Sequence, residues 1–168
     1  MAALEDFVKT VRVYLDLIEQ SSTLTGMQVL SRSAVLLPRL YSLGQLLPDV
    51  EPGESEPKRG PFERRLSLAI EQREMYWLIH DPIYDPVDDR EPVAGLLSED
   101  LLDIYDALKG PLDLYETGDE DAVRTAIWHW RFELQGHCGD HLVNSLPAIH
   151  RLVHDHLGKD LSGFEHES

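Results

Sequence analysis

The chain is poor in several things, and each shortage excludes something. Among 168 residues there is one cysteine, Cys138, so no internal disulfide forms. No apolar run approaches the roughly 18 residues of a membrane span. Positive charge is scarce: 15 Lys and Arg stand against 31 Asp and Glu, a formal net charge of −16. Such a surface repels phosphate backbones and anionic bilayers, so neither nucleic acid nor membrane is an expected partner. A basic protein partner, a bound cation or plain solubility suits it better. There is no glycine-rich phosphate loop, no alternating strand pattern and no internal repeat, and residues 1–79 hold no histidine. The first residues, MAALEDFVKT, lack a basic segment followed by an apolar one, so no secretory signal is read and the expected location is the cytoplasm.

What is present is helical spacing. Residues 3–20 place Leu4, Phe7, Val8, Val11, Tyr14, Leu15 and Ile18 on one face. Thr25 with Gln28 three positions on has capping-box spacing, and a leucine-rich second helix is expected to about Leu47, kinked or split at Pro38. Residues 48–61 carry four prolines and read as a surface linker. A third helix is expected from Pro61 to Ile79 or His80, burying Phe62, Leu66, Ala69, Ile70, Tyr76 and Trp77. Residues 81–97 read as an acidic loop. Ser98 is the expected cap of a fourth helix bent at Pro111, and Gly118 ends it. Asp119 then caps a long fifth helix to residue 157, with a bend at Pro147, followed by a polar tail over 158–168. The expected fold is all-α: one domain over 1–157, a bundle of about five mostly antiparallel helices.

The fifth segment holds six of the eight histidines. On one continuous helix, Trp130, Glu133, His141 and Asn144 all fall within about 40° of His137, a polar stripe beside the apolar one. His137-x-x-x-His141 puts two imidazoles one turn apart, the spacing of two metal ligands on a helix. Glu133, Asp103, Asp100 and His80 are the candidates to complete such a shell, and Trp130, Asn144, Tyr105 and Trp77 to wall a pocket around it. A divalent metal is thus the one cofactor this sequence invites. The plainer reading is that both histidines sit at the core edge and hydrogen-bond to acids such as Asp103 or to backbone. Cys138 falls on the apolar side and reads as packing.

Two acid pairs, Glu71 with Glu74 and Asp100 with Asp103, have the spacing that holds Mg²⁺ against phosphates, and they resemble the acidic pairs of all-α nucleotide pyrophosphohydrolases. Their plain alternative is a solvated acidic face. Asp85, Asp88, Asp89 and Glu91 cluster in the acidic loop without the glycine or spacing of an EF-hand. His80-Asp81 has no histidine upstream, so it does not match HD-type phosphohydrolases.

Four blocks, LLPRLYSLGQLLP (36–48), MYWLIHDP (75–82), DLLDIYDALKG (100–110) and WHWRFELQGHCGDHLVNSL (128–146), resemble an uncharacterised bacterial family of small helical proteins, a domain of unknown function. That resemblance implies the helical fold and no known activity. A weaker resemblance is to DinB-like metal-binding four-helix bundles. They carry a late H-x-x-x-H pair, matched by His137 and His141, and an earlier histidine, for which His80 is the candidate. That family's first histidine stands on an early helix, where this chain has none.

The function expected from sequence is a non-enzymatic protein-interaction module, as a monomer or oligomer. The alternatives are a metal-binding bundle or metal-dependent hydrolase centred on His137 and His141, and a Mg²⁺-dependent nucleotide hydrolase using the two acid pairs.

Overall fold

The capping box at Thr25 forms as its spacing predicts. The Thr25 hydroxyl accepts from Gln28 N–H at 3.2 Å, and the Gln28 side chain accepts from Thr25 N–H at 2.8 Å. It opens α2 (Gly26–Gly44), which follows α1 (Ala2–Glu19) after a single 3-10 turn at Ser21–Thr23. The computed structural model describes residues 2–58, 66–70, 74–79 and 92–155. Beyond α2 it contains β1 (Met75–Ile79), β2 (Pro92–Leu96), α3 (Leu97–Tyr115), α4 (Glu120–Gln135) and α5 (His137–Asp155).

The fold is predominantly α. The helix α3 packs against α1, α4 and α5, while α2 packs against α1 and α5. Phe7, Tyr14, Leu30, Leu37, Leu40, Leu101, Tyr105, Leu108 and Trp130 are fully buried between them. Each such side chain contributes roughly 1.5–3 kcal/mol through burial. The polar atoms of the buried aromatics are all satisfied. Tyr14 donates to the Leu101 carbonyl at 2.7 Å, Tyr105 to Glu19 at 2.8 Å, and Trp130 Nε1 to the Leu108 carbonyl at 3.2 Å.

Five helices were expected and five α-helices are present among the described residues, but they are not the same five. The expected third helix is absent among the described residues. Leu66, Leu68 and Ile70 are buried while Ser67 and Ala69 are exposed, and Ala69 has φ +50°, so this piece is irregular chain and not helix. Met75–Ile79 is then a strand, paired antiparallel with Pro92–Leu96 in a two-stranded sheet with Tyr76 opposite Gly95. The MYWLI run is rich in the aromatic and β-branched types that favour strands, and this local preference prevails over a helical reading. The C-terminal part of the expected loop 81–97 is therefore β2. The start of α3 also moves. Leu96 occupies the cap position with no side-chain bond, and Ser98 N–H instead donates to the Glu74 carboxylate at 3.2 Å, so the helix end is capped by the residue that precedes β1.

The expected fifth helix is two helices. Gly136, at φ −123° and ψ −130°, is outside the helical region and separates α4 from α5. The junction is tight: a Cβ at Gly139 would collide with the Leu134 carbonyl. Other punctuation is as expected: Gly118 has φ +73°, and Asp119 caps α4 by accepting from Ala122 N–H at 3.0 Å. Pro38, Pro111 and Pro147 lie inside α2, α3 and α5, and none of them splits its helix.

Residues 48–58 run along α4. Asp121 accepts from Glu54 N–H, Ser55 N–H and the Ser55 hydroxyl at 2.9–3.1 Å, and Gly53 N–H donates to Thr125. The Ser55 hydroxyl and then its backbone N–H hold the Asp121 carboxyl below its ordinary value.

Candidate metal centre

Two helices bring the site together. In α3, Asp100 and Asp103 lie one turn apart, and α5 begins at His137 and carries His141 one turn on. Where the helices cross, His141 Nε2 is 3.1 Å from His137 Nε2 and 3.3 Å from Asp103 Oδ2. One donor atom from each of Asp103, His137 and His141 lies within 4.8 Å of the other two. Asp103 and His137 are exposed and His141 is half-buried.

The other face of His141 is fixed from behind. Its Nδ1 is 2.7 Å from Oδ1 of Asp100, a buried carboxylate whose Oδ2 accepts from the Tyr76 hydroxyl at 2.6 Å. With the proton on Nδ1, the Nε2 lone pair is aimed at His137 and Asp103. The hydrogen bond to Asp100 raises the His141 pKa above the ordinary imidazole value. Partial burial opposes the rise, and the charges of Asp100, Asp103 and Asp140 add to it. Burial, then the bond to Asp100, pushes the Tyr76 hydroxyl up, so it stays a donor. Burial likewise raises the Cys138 thiol, which stays protonated and inert, as packing requires.

Asp103 and His137 also line a cleft of about 530 Å³. Its apolar wall is Ala107, Pro111, Trp128 and Phe132, and Lys58 and Glu133 stand at its polar side. Trp128 and Phe132 are stacked, with ring centroids 5.2 Å apart and planes 7° from parallel.

Of the six ligand candidates, Asp103, His137 and His141 converge, and Asp100 stands behind His141 as its hydrogen-bond partner. Glu133 does not join them: the break at Gly136 removes the one-turn relation to His137, and Glu133 stands in the cleft wall instead. His80 lies outside the described residues. The pocket-wall candidates are elsewhere. Trp130 and Tyr105 are core, Trp77 is exposed on β1, and Asn144 is half-buried on α5. Trp130 is core and not pocket wall because a wheel drawn through Gly136 carries the wrong phase across the break. Trp130 packs edge-on against Phe7 at 5.3 Å, and Trp128 faces the cleft.

The acid pairs do not form facing magnesium sites among the described residues. Asp100 is committed to His141 and Tyr76, and Glu74 to Ser98; Glu71 and the cluster Asp85, Asp88, Asp89 and Glu91 lie outside the described residues. Tyr76 and Lys58 are the site residues that sequence reasoning missed. Tyr76 reaches Asp100 only because β1 packs beside the start of α3, and no local pattern announces that.

Residues 2–155 match the family model described as Domain of unknown function (DUF5063). Among solved structures, the chain is similar to protein BF1032 from Bacteroides fragilis: 18% identity, 89% of this chain and 91% of that one covered, TM-score 0.72. At that identity the likeness speaks for the fold alone. No curated protein matches the chain.

Proposed function

Because the chain belongs to the DUF5063 family, whose description assigns no activity, we propose a function from the site itself: a divalent-metal-binding helical bundle, with Asp103, His137 and His141 as the ligands. The observation that carries this reading is the spacing of the donor atoms. A metal about 2.0–2.1 Å from each ligand in tetrahedral geometry puts ligand atoms roughly 3.3 Å from one another. His141 Nε2 lies 3.1 Å and 3.3 Å from its two neighbours. The Asp100 carboxylate behind His141 is the usual outer partner of a ligating imidazole, fixing both tautomer and ring orientation. Two imidazoles and one carboxylate suit zinc or another borderline divalent ion better than Mg²⁺ or Ca²⁺. Three protein ligands with one open position is the pattern of catalytic rather than closed structural centres. A metal there supplies Lewis-acid activation of a bound group.

The test is elemental analysis of untagged protein before and after dialysis against chelator, for wild type and for His137→Ala with His141→Ala. Near-stoichiometric metal that survives in wild type and vanishes in the double variant is expected. Wild type without metal, or a double variant that keeps it, sinks the reading.

A second reading, protein interaction, draws on the shallow apolar groove between α1 and α2, where Val13 and Val35 are 54% and 69% exposed. A pull-down at native levels that returns no partner counts against it.

A further inference from the structure

The cleft and the ligand cluster share two residues, and that sharing is informative. Asp103 and His137 belong to both, while His141 stands behind them, held by Asp100. The cleft therefore borders the ligand cluster of the centre proposed above. At about 530 Å³ the cleft is within the usual range, roughly 300–1,000 Å³, for a small-molecule site. Its wall away from the ligands is apolar, and the Trp128–Phe132 stack forms a flat aromatic surface there, with Phe132 59% exposed. A stack with one half-buried and one exposed ring at a cleft wall is surface that a ligand body covers favourably. The carboxylates of Asp103, Asp106 and Glu133 outnumber the Lys58 cation in the same space and disfavour a polyphosphate there.

We infer that this cleft is the ligand site of the metal centre, and that it takes a small molecule whose ring-sized apolar body lies on Trp128 and Phe132 while one neutral or singly charged oxygen-donor group, of the hydroxamate or carboxylate kind, takes the open side of the metal. This rests on the metal-binding reading, and its chemistry sorts ligands in two ways. It prefers a planar apolar body to none, and a single weakly charged donor to a nucleotide phosphate. Trp128 and Phe132 are then specificity residues outside the ligand set.

The probes are benzohydroxamate and acetohydroxamate, which carry the same oxygen donors with and without a ring. Titrations use the full chain loaded with zinc, and metal content is read on the same samples. The expected result is a preference for benzohydroxamate of roughly tenfold. Trp128→Ala should cut that preference to about twofold or less while leaving zinc content and acetohydroxamate binding unchanged. Phe132→Ala, at an exposed position, is the second variant in case Trp128→Ala unfolds, and thermal melts check both. Zinc bound in full with equal affinity for the two probes overturns the cleft inference and leaves the metal centre standing. The same holds if neither aromatic variant alters the ratio. Zinc not retained by wild type overturns the centre, and this inference falls with it.

Discussion

The helix α5 carries two histidine pairs with the same spacing and different surroundings. His137 and His141 have ring centroids 4.4 Å apart, and His150 and His154 4.5 Å. At the level of sequence both are H-x-x-x-H on one helix. In space the first pair faces α3 and meets Asp100 and Asp103, whereas the second faces α2 over Ala34 and Pro38 with Arg151 beside it. Among the described residues only the first gathers a third donor. The difference teaches that helical spacing supplies a pair of imidazoles and nothing more. A second helix decides whether the pair is a centre, by offering a third ligand and a carboxylate behind one ring.

The sharpest way to break this comparison is to delete each pair. His137→Ala or His141→Ala should weaken zinc binding by roughly 100-fold or more, because either change leaves two ligands. His150→Ala with His154→Ala should leave it within about twofold. Competition with a chromogenic chelator reads both, and equal losses at the two pairs would mean that the helix binds metal only through adventitious surface histidines. Next in size is the support behind the ring. Asp100→Asn keeps the shape but removes the charge facing Nδ1, and should cost roughly 10–100-fold in zinc affinity with Asp103, His137 and His141 intact. An unchanged affinity would show that Asp100 orients nothing.

A smaller effect separates the pairs by pH. Asp100 raises the His141 pKa in the folded protein. In metal-free protein the associated stability is fully present below the unfolded histidine value, roughly 6.5, and is lost as pH rises through the higher folded value. Metal retention runs the other way, since protons compete for Nε2 and acid releases the ion. Thermal melts in chelator from about pH 5.5 to about pH 8.5 should therefore fall with pH at this locus, and His141→Gln should flatten that component. Parallel profiles for wild type and variant would remove His141 as its source.

The same contrast explains how far the sequence could be read. The amphipathic helix at residues 3–20, the Thr25 capping box and the Gly118–Asp119 boundary are local signals, and all are present in the structure. The one-turn relation of His137 and His141 was also legible, because spacing limits what a helix face can offer, whereas Asp103 was one of several acids that could have met them. Residues 61–80 were misread for a physical reason. Leu66, Leu68 and Ile70 alternate, and MYWLI favours a strand, but a four-residue rhythm can be drawn through the same apolar positions. The break at Gly136 was hidden because one glycine inside a periodic pattern is tolerated in many helices. Crossing it put Glu133 on the ligand stripe and Trp130 on the pocket wall. The contacts of Tyr76 with Asp100 and of Lys58 with the cleft join parts of the chain that share no local pattern, so nothing short of the packed structure reveals them.

If a second helix is what makes a pair into a centre, then supplying one at the idle pair should create binding. Ala34 on α2 lines the same surface depression as His150 and His154 and is only half-buried. Ala34→Asp places a carboxylate opposite that pair without deleting a large core side chain. In a background where His137→Ala has silenced the first centre, it should restore zinc binding. The restored affinity should still be about 100-fold weaker than that of the native centre, because no buried carboxylate orients either imidazole from behind. No gain at all would say that the third donor is insufficient and that the Asp100–Tyr76 scaffold, rather than the ligand count, distinguishes the two ends of α5.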